Sequence, residues 1–302
     1  MKKNNIIAVL GGDLRQYRAA QVLERNKWKI NLWGLDISED GAEDMNHYES
    51  FSSALEDCFA VLLPLPVTVD GIHLNTPFNN SGEKLRLFEI LDVAQRDTII
   101  IGGRLPESFV VKAQSKGIVT YDYFLSEDFQ IKNAYITAEA AVSIAMNSLN
   151  KNICGARVAI TGYGRIAKHL TRLLTGLGAN VTVVARKLSD LAWSHSCGCT
   201  ALRIGDSDEL KNNIYQLTEG YDIIYNTVPS WLFDRNFLER VDKKTFIIDL
   251  ASAPGGVDIR AAKELHANVL WATSLPGKYA PVSAGDIIAS CVDGFLGKEV
   301  DR

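Results

Sequence analysis

Short apolar runs alternate with stretches of helical spacing along almost the whole of this chain. Ile6-Ile7-Ala8-Val9-Leu10 is continuous and ends at Gly11-Gly12-Asp13, after which apolar positions from Leu14 to Arg25 recur at helical intervals. The pattern repeats at Lys29–Leu35, with Asp36 at its exit, and at Cys58–Leu63, stopped by Pro64 and Pro66. It repeats again at Thr98–Ile101, closed by Gly102-Gly103-Arg104, and at Gly117–Tyr121. Runs that are apolar on both faces suit strands covered on both sides, and their alternation with helices predicts a parallel sheet. Between them, residues 65–81 read as a long loop, Glu83–Val93 as a helix and Pro106-Glu107-Ser108 as a helix start.

The second half repeats the scheme. Tyr135–Leu149 is Ala-rich at helical spacing and reads as a helix crossing between domains, with Thr137-Ala138-Glu139 in its first turn. There Glu139 either complements the helix N-terminus or faces a cleft. Strands follow at Arg157–Thr161, Ala179–Ala185, Thr200–Ile204, Tyr221–Pro229 with its exit, and Phe246–Ser252. Leu275–Pro281 reads as a rigid turn, and Val282–Leu296 as a final helix returning to the first domain.

One junction carries a specific chemistry. The strand at Arg157–Thr161 runs into Gly162-Tyr163-Gly164-Arg165-Ile166-Ala167 and then directly into an amphipathic helix. This is the G-x-G-x-x-A turn of dinucleotide-binding domains in its required strand–turn–helix context. Gly162 permits the turn, Gly164 lets backbone approach a pyrophosphate, and Ala167 lets helix and strand pack closely. The pyrophosphate would lie on free N–H groups at the helix N-terminus, beside Tyr163, Arg165 and Ile166. The next strand ends in Ala185-Arg186-Lys187, with no carboxylate for a ribose 2′-hydroxyl. A guanidinium there suits a 2′-phosphate, so the reading is NADP(H) over NAD(H). Thr227, Val228, Pro229 and Ala251, at the exits of later strands, complete the candidate cofactor site.

The fold expected is therefore α/β, with two Rossmann-like, doubly wound parallel-sheet domains joined by interdomain helices. Residues 1–133 form a flavodoxin- or Rossmann-like substrate domain, and 134–150 an interdomain helix. Residues 151–281 form the NADP-binding Rossmann domain, and 282–302 the C-terminal helix.

Composition narrows the partners. With 302 residues, 47% apolar and 23% charged, the chain has the makings of two α/β domains. Its formal net charge of −4 gives no basic field for nucleic acid or an anionic membrane. No run approaches the roughly 18 apolar residues of a spanning helix. Met1-Lys2-Lys3-Asn4-Asn5 leads straight into a strand without a signal-like segment, so a cytoplasmic protein is expected. Cys58, Cys154 and Cys291 read as small core residues. His195-Ser196-Cys197-Gly198-Cys199 is too tightly spaced for tetrahedral zinc and reads as a helix end, a turn and the next strand, so no metal is expected.

The first domain lacks a phosphate turn, because Gly11-Gly12-Asp13 would aim a carboxylate at any phosphate. Its loops are free for a substrate. Arg15, in the first helical turn, suits a carboxylate. Arg104 sits where open α/β sheets bind ligands, beyond a strand's carboxyl end.

Taken in order, the motifs resemble the family of dipicolinate synthase A-subunits. They are Gly11-Gly12-Asp13 with Arg15, Asn75-Thr76-Pro77-Phe78, Thr137-Ala138-Glu139, Gly162-Tyr163-Gly164-Arg165, Asn226-Thr227-Val228-Pro229, Asp249-Leu250-Ala251-Ser252 and Leu275-Pro276-Gly277-Lys278. The resemblance covers essentially the whole chain, while the C-terminal half is also similar to the cofactor domains of alanine and shikimate dehydrogenases. It implies oxidation of a dihydrodipicolinate-level product of the lysine pathway to pyridine-2,6-dicarboxylate, in the mother cell of a sporulating bacterium. It also implies a flavoprotein-like B-subunit of dipicolinate synthase as partner; homo-oligomerisation is left open. A dihydropyridine dicarboxylate becomes aromatic on losing a hydride and a proton, so the site must mainly position it and move a proton. Arg15 and Arg104 are the candidates for its carboxylates, with Thr76 as a hydroxyl donor. Lys278 could bind a carboxylate or relay a proton, and Glu139 is the other candidate base. Two other classes share the cofactor half: an NADP-dependent dehydrogenase of a small amino or hydroxy acid, and a non-catalytic NADPH sensor.

Overall fold

The computed structural model describes residues 5–37 and 45–300. The leader reading at Met1–Asn4 lies outside them. The chain divides into two units, Met1–Asn133 with Ala280–Arg302, and Ala134–Tyr279.

In the first unit the strands are β1 (Ile6–Leu10), β2 (Lys29–Trp33), β3 (Asn46–His47), β4 (Ala60–Leu62), β5 (Ile99–Gly102) and β6 (Val119–Asp122). They lie parallel in the order β3-β2-β1-β4-β5-β6. That order is the Rossmann one and decides against the flavodoxin alternative. Successive β1 side chains serve opposite faces: Ile7 and Val9 join one core cluster, Ala8 and Leu10 the other. Helices α1 (Leu14–Arg25), α2 (Phe51–Ala54), α3 (Ile90–Val93), α4 (Glu107–Ser115) and α5 (Glu127–Ser148) follow in chain order, α5 running on into the second unit.

The second unit repeats the topology. Strands β7 (Arg157–Thr161), β8 (Asn180–Ala185), β9 (Thr200–Arg203), β10 (Ile223–Asn226), β11 (Phe246–Asp249) and β12 (Val269–Trp271) are parallel in the order β12-β11-β10-β7-β8-β9. Its helices are α6 (Arg165–Gly176), α7 (Leu188–Ser196), α8 (Asp208–Asn212), α9 (Arg235–Arg240), α10 (Ile259–Glu264) and α11 (Leu275–Tyr279). The last helix, α12 (Pro281–Val300), belongs to the first unit and packs on α1. Arg18 pairs with Asp286 at 2.7 Å, Trp28 Nε1–H donates to Asp293 at 2.9 Å, and Phe295 stacks on Tyr121. A side chain at Gly285 would meet the Arg15 carbonyl at 2.6 Å, so glycine is what lets α1 and α12 approach. No helix among the described residues is long and apolar enough to cross a membrane.

Three local expectations are corrected. The helix expected at Glu83–Val93 begins only at Leu87, as one turn of 3₁₀ before α3. Arg86 is extended and bridges His73, because Leu74 N–H bonds the Leu85 carbonyl and Leu87 N–H the Ile72 carbonyl. Leu85 and Leu87 are buried with Arg86 exposed between them, a strand's period of two. The helix expected from Tyr135, and from 134 as an interdomain element, begins at Glu127. Glu139 therefore lies mid-helix, and a role at the N-terminal dipole is excluded. Finally, Leu275–Tyr279 is helical, with Pro276 in the first turn where its missing N–H costs nothing.

Candidate functional site

The glycine turn of the second unit passes tightly between β8 and the loop after β10. Gly162 has φ +83° and its N–H donates to the Val184 carbonyl at 2.8 Å. A Cβ there would meet Thr227 Oγ1 at 2.7 Å and Val228 Cγ2 at 2.9 Å, so only glycine fits without displacing the next loop. Gly164 caps α6 with no side-chain acceptor, and a Cβ at Gly164 would meet nothing within 4 Å. No side chain at the cap takes an N–H of the first turn of α6. Tyr163, between the glycines, is buried; its hydroxyl approaches Cys197 Sγ at 3.9 Å, and burial, with Cys197, pushes its pKa up to about 12.

The loop facing this turn is held from beneath. Thr227 N–H and Oγ1 both donate to the Thr161 carbonyl, at 3.2 and 2.7 Å. Thr161 Oγ1 donates to Asn226 Oδ1 at 2.6 Å, Asn226 Nδ2 donates to Asp249 Oδ1 at 2.7 Å, and Val228 N–H donates to Asn226 Oδ1. Asp249 also accepts N–H groups of Ala251 and Gly256. Thr161, Asn226 and Asp249 are all buried, so this satisfied network fixes the exits of β7, β10 and β11 relative to one another.

Above these exits lies a cleft of about 740 Å³. Gly162, Tyr163, Gly164, Arg186, Lys187, Thr227, Val228 and Pro229, all predicted cofactor residues, line it. Arg165, Ile166 and Ala251 do not, and the Ala251 N–H is taken by Asp249. Arg186 and Lys187 are exposed, with no ion-pair partner among the described residues. Sequence reasoning missed the wall beyond β9 and β10, including Ile204, Lys211, Tyr215 and Trp231. Trp231, two residues past Pro229, was the one legible signal, being a large apolar residue in a loop.

In the first unit, Arg15, Thr76 and Arg104 gather at the carboxyl edge of the sheet. Asp13 caps α1 by accepting Arg15 N–H at 3.0 Å and also takes both Arg15 Nε (3.0 and 3.1 Å) and Nη2 (2.7 Å). Arg15 Nη2 donates in addition to the Leu65 carbonyl at 2.6 Å, and the residue is 8% exposed. This cation is thus paired and mostly enclosed. Thr76 packs its methyl against Gly11, and the Asn75 carbonyl before it accepts Gly12 N–H at 3.0 Å. Arg104, with φ +61°, is exposed; its guanidinium lies 4.5 Å above the Phe124 ring, and Asp122 accepts its N–H. Glu139 on α5 and Lys278 on α11 are exposed residues of the second unit. The Cys197-Gly198-Cys199 segment is the end of α7, a turn at φ +81° and the entry to β9. Among the described residues no group of three or more candidate ligands could hold a metal.

Two Rossmann units, one with an uncapped glycine turn over a long cleft, define a protein of the dehydrogenase fold class. L-alanine dehydrogenase, 13% identical, shares that fold at a TM-score of 0.59 over 97% of this chain and 90% of its own. Residues 6–124 match the family model of the N-terminal domain of the dipicolinate synthase A-subunit. The dipicolinate synthase A-subunit of Bacillus subtilis is 30% identical over 293 residues, 96% of this chain and 95% of that protein. The crystal structure of the dipicolinate synthase A-subunit from Bacillus halodurans superposes with a TM-score of 0.85 at 27% identity, covering 98% of this chain and 99% of that one. The chain belongs to the family of dipicolinate synthase A-subunits.

Proposed function

We propose that this protein is an NADP-dependent oxidoreductase that aromatises a dihydrodipicolinate to pyridine-2,6-dicarboxylate. The observation that carries the reading is the uncapped N-terminus of α6 beneath Gly164, in a chain of this family. The residues fit a dinucleotide: a Cβ would close the cradle at Gly162, and the space above Gly164 is open. The α6 N–H groups would hold the pyrophosphate, and Arg186 with Lys187 the 2′-phosphate. When bound, NADP⁺ supplies the hydride acceptor.

The substrate loses one hydride and one proton, so the chain must grip two carboxylates and accept the proton. Arg104 is the freer of the two candidate carboxylate partners, since Arg15 already serves Asp13 and the Leu65 carbonyl. Arg15 then presents a cation of fixed direction. Lys278 and Glu139, both exposed, are the candidates for the proton. The B-subunit of dipicolinate synthase is the proposed partner, and the mother cell cytoplasm of a sporulating bacterium the proposed setting.

The test is to supply the purified protein with the freshly generated lysine-pathway intermediate and NADP⁺ or NAD⁺, with and without the B-subunit. NADPH absorbance and pyridine dicarboxylate should rise together, and faster with NADP⁺. Tight NADP⁺ binding without either product, with the B-subunit present, would sink the substrate assignment and redirect it to another acid.

A further inference from the structure

We infer that Trp231 forms the wall of an adenine subsite, its indole face covering the purine of the bound dinucleotide. The inference rests on the cofactor reading above and adds a residue to it.

Trp231 is 64% exposed, although tryptophan is among the costliest side chains to leave in water. Its backbone is nevertheless held on both sides. Upstream, Thr227 and Val228 are tied to Thr161 and Asn226. Downstream, the N–H groups of Leu232 and Phe233 both donate to the Gly256 carbonyl, at 3.1 and 3.0 Å. Phe233 is fully buried, and Asp234 caps α9 through Phe237 N–H. A rigid loop thus holds a large, flat, apolar group out at the rim of the cleft. Such a surface has one or two rotamers to lose on binding and much area to cover.

Its position along the cleft selects the ligand half. Arg186, at the exit of β8, marks the adenosine ribose end in this topology. Beyond it the cleft is lined by Ile204 after β9 and by Ile214, both largely buried apolar side chains, whereas β11 and β12 contribute nothing to it. A flat heterocycle with one face on an apolar floor and one on an indole matches this lining. Base–aromatic stacking tolerates any purine, so Trp231 should add affinity without selecting between NADP and NAD; that choice falls to Arg186 and Lys187.

The test uses the full-length protein and calorimetric titration with NADP⁺, adenosine 2′,5′-bisphosphate and nicotinamide mononucleotide. Trp231→Ala should weaken the first two by a similar factor, about 30-fold, which is about 2 kcal/mol at 1.4 kcal/mol per decade. Trp231→Phe should keep both within about threefold. Nicotinamide mononucleotide should be unaffected. In the wild type, adenosine 2′,5′-bisphosphate should quench indole fluorescence, and the quench should vanish in Trp231→Phe. Because the side chain is exposed, both variants should melt within a degree or two of the wild type. Unchanged affinities in both variants, or a loss for NADP⁺ without one for the bisphosphate, would overturn the assignment and leave the cofactor reading intact. A wild type that binds neither NADP⁺ nor the bisphosphate would overturn both.

Discussion

The two units use one topology and treat the same corner of it in opposite ways. In each, the first strand ends in glycine and the chain turns into a twelve-residue helix, Leu14–Arg25 or Arg165–Gly176. In the first unit Asp13 occupies the cap, takes an N–H of the first turn and pairs with Arg15, so the helix end is satisfied from within. In the second, Gly164 offers no side-chain acceptor to the first turn of α6, and Gly164 itself lines the cleft. A single cap residue thus separates a corner satisfied from within from one with no side-chain cap. On the proposed function, the fold fixes where an anion could bind, and the residue at the cap decides whether one does.

Substitutions at the two glycine turns should break this comparison most sharply. Gly162→Ala places a Cβ against Thr227 and Val228 at positive φ, and should weaken NADP⁺ binding about 100-fold in a titration. Gly12→Ala, at φ +105° with a Cβ that would meet Gln16 at 2.5 Å, should lower the melting temperature and leave NADP⁺ affinity unchanged. Equal loss of cofactor affinity in the two variants would mean that the corners are not functionally distinct.

Next in size is Asp13→Ala, which removes a cap and leaves the Arg15 guanidinium enclosed without its carboxylate. Urea unfolding should show a loss of about 2 kcal/mol, between a lost cap and a broken buried pair. Arg186→Ala should raise the Kd for NADP⁺ by about 10- to 30-fold, as expected for a lost bidentate phosphate contact, and that for NAD⁺ by less than twofold. An equal effect on both dinucleotides would move the 2′-phosphate elsewhere. The smallest effect belongs to Tyr163→Phe. Its hydroxyl, pushed up to about 12 by burial, stays neutral across pH 7 to 10, so NADP⁺ affinity should show no step from it in that range. The folded state favours the protonated phenol, so this group contributes its stability below pH 10, and the contribution falls away as pH climbs from 10 towards 12. Loss of a single high-pH phenolate transition in the variant's ultraviolet titration would check the assignment.

Much of this was legible in the chain because it is local. Apolar runs such as Ile6–Leu10 and Arg157–Thr161, each followed by glycine and helical spacing, announce parallel strands and their helices without knowledge of anything distant. The Gly162–Ala167 turn points to a ligand class for the same reason, since the strand, the turn and the helix N-terminus that it joins are contiguous. The helix start at Glu127 is also legible, as Ser126 followed by Glu127 and Asp128, although the Ala-rich stretch beyond it is the louder signal.

The remainder was decided by partners far along the chain. Arg15 reads as a free carboxylate binder until the Leu65 carbonyl, fifty residues on, and the adjacent Asp13 claim it. Leu85 and Leu87 read as helix until Leu74 and Ile72 pair with them across a loop. Asn226 and Asp249 read as strand ends, yet they fix the loops at the mouth of the site through a buried network. Periodicity carries the backbone's short-range preferences. Which polar group is satisfied, and which is left facing a ligand, depends on burial and hydrogen bonding that come into being only when distant segments meet.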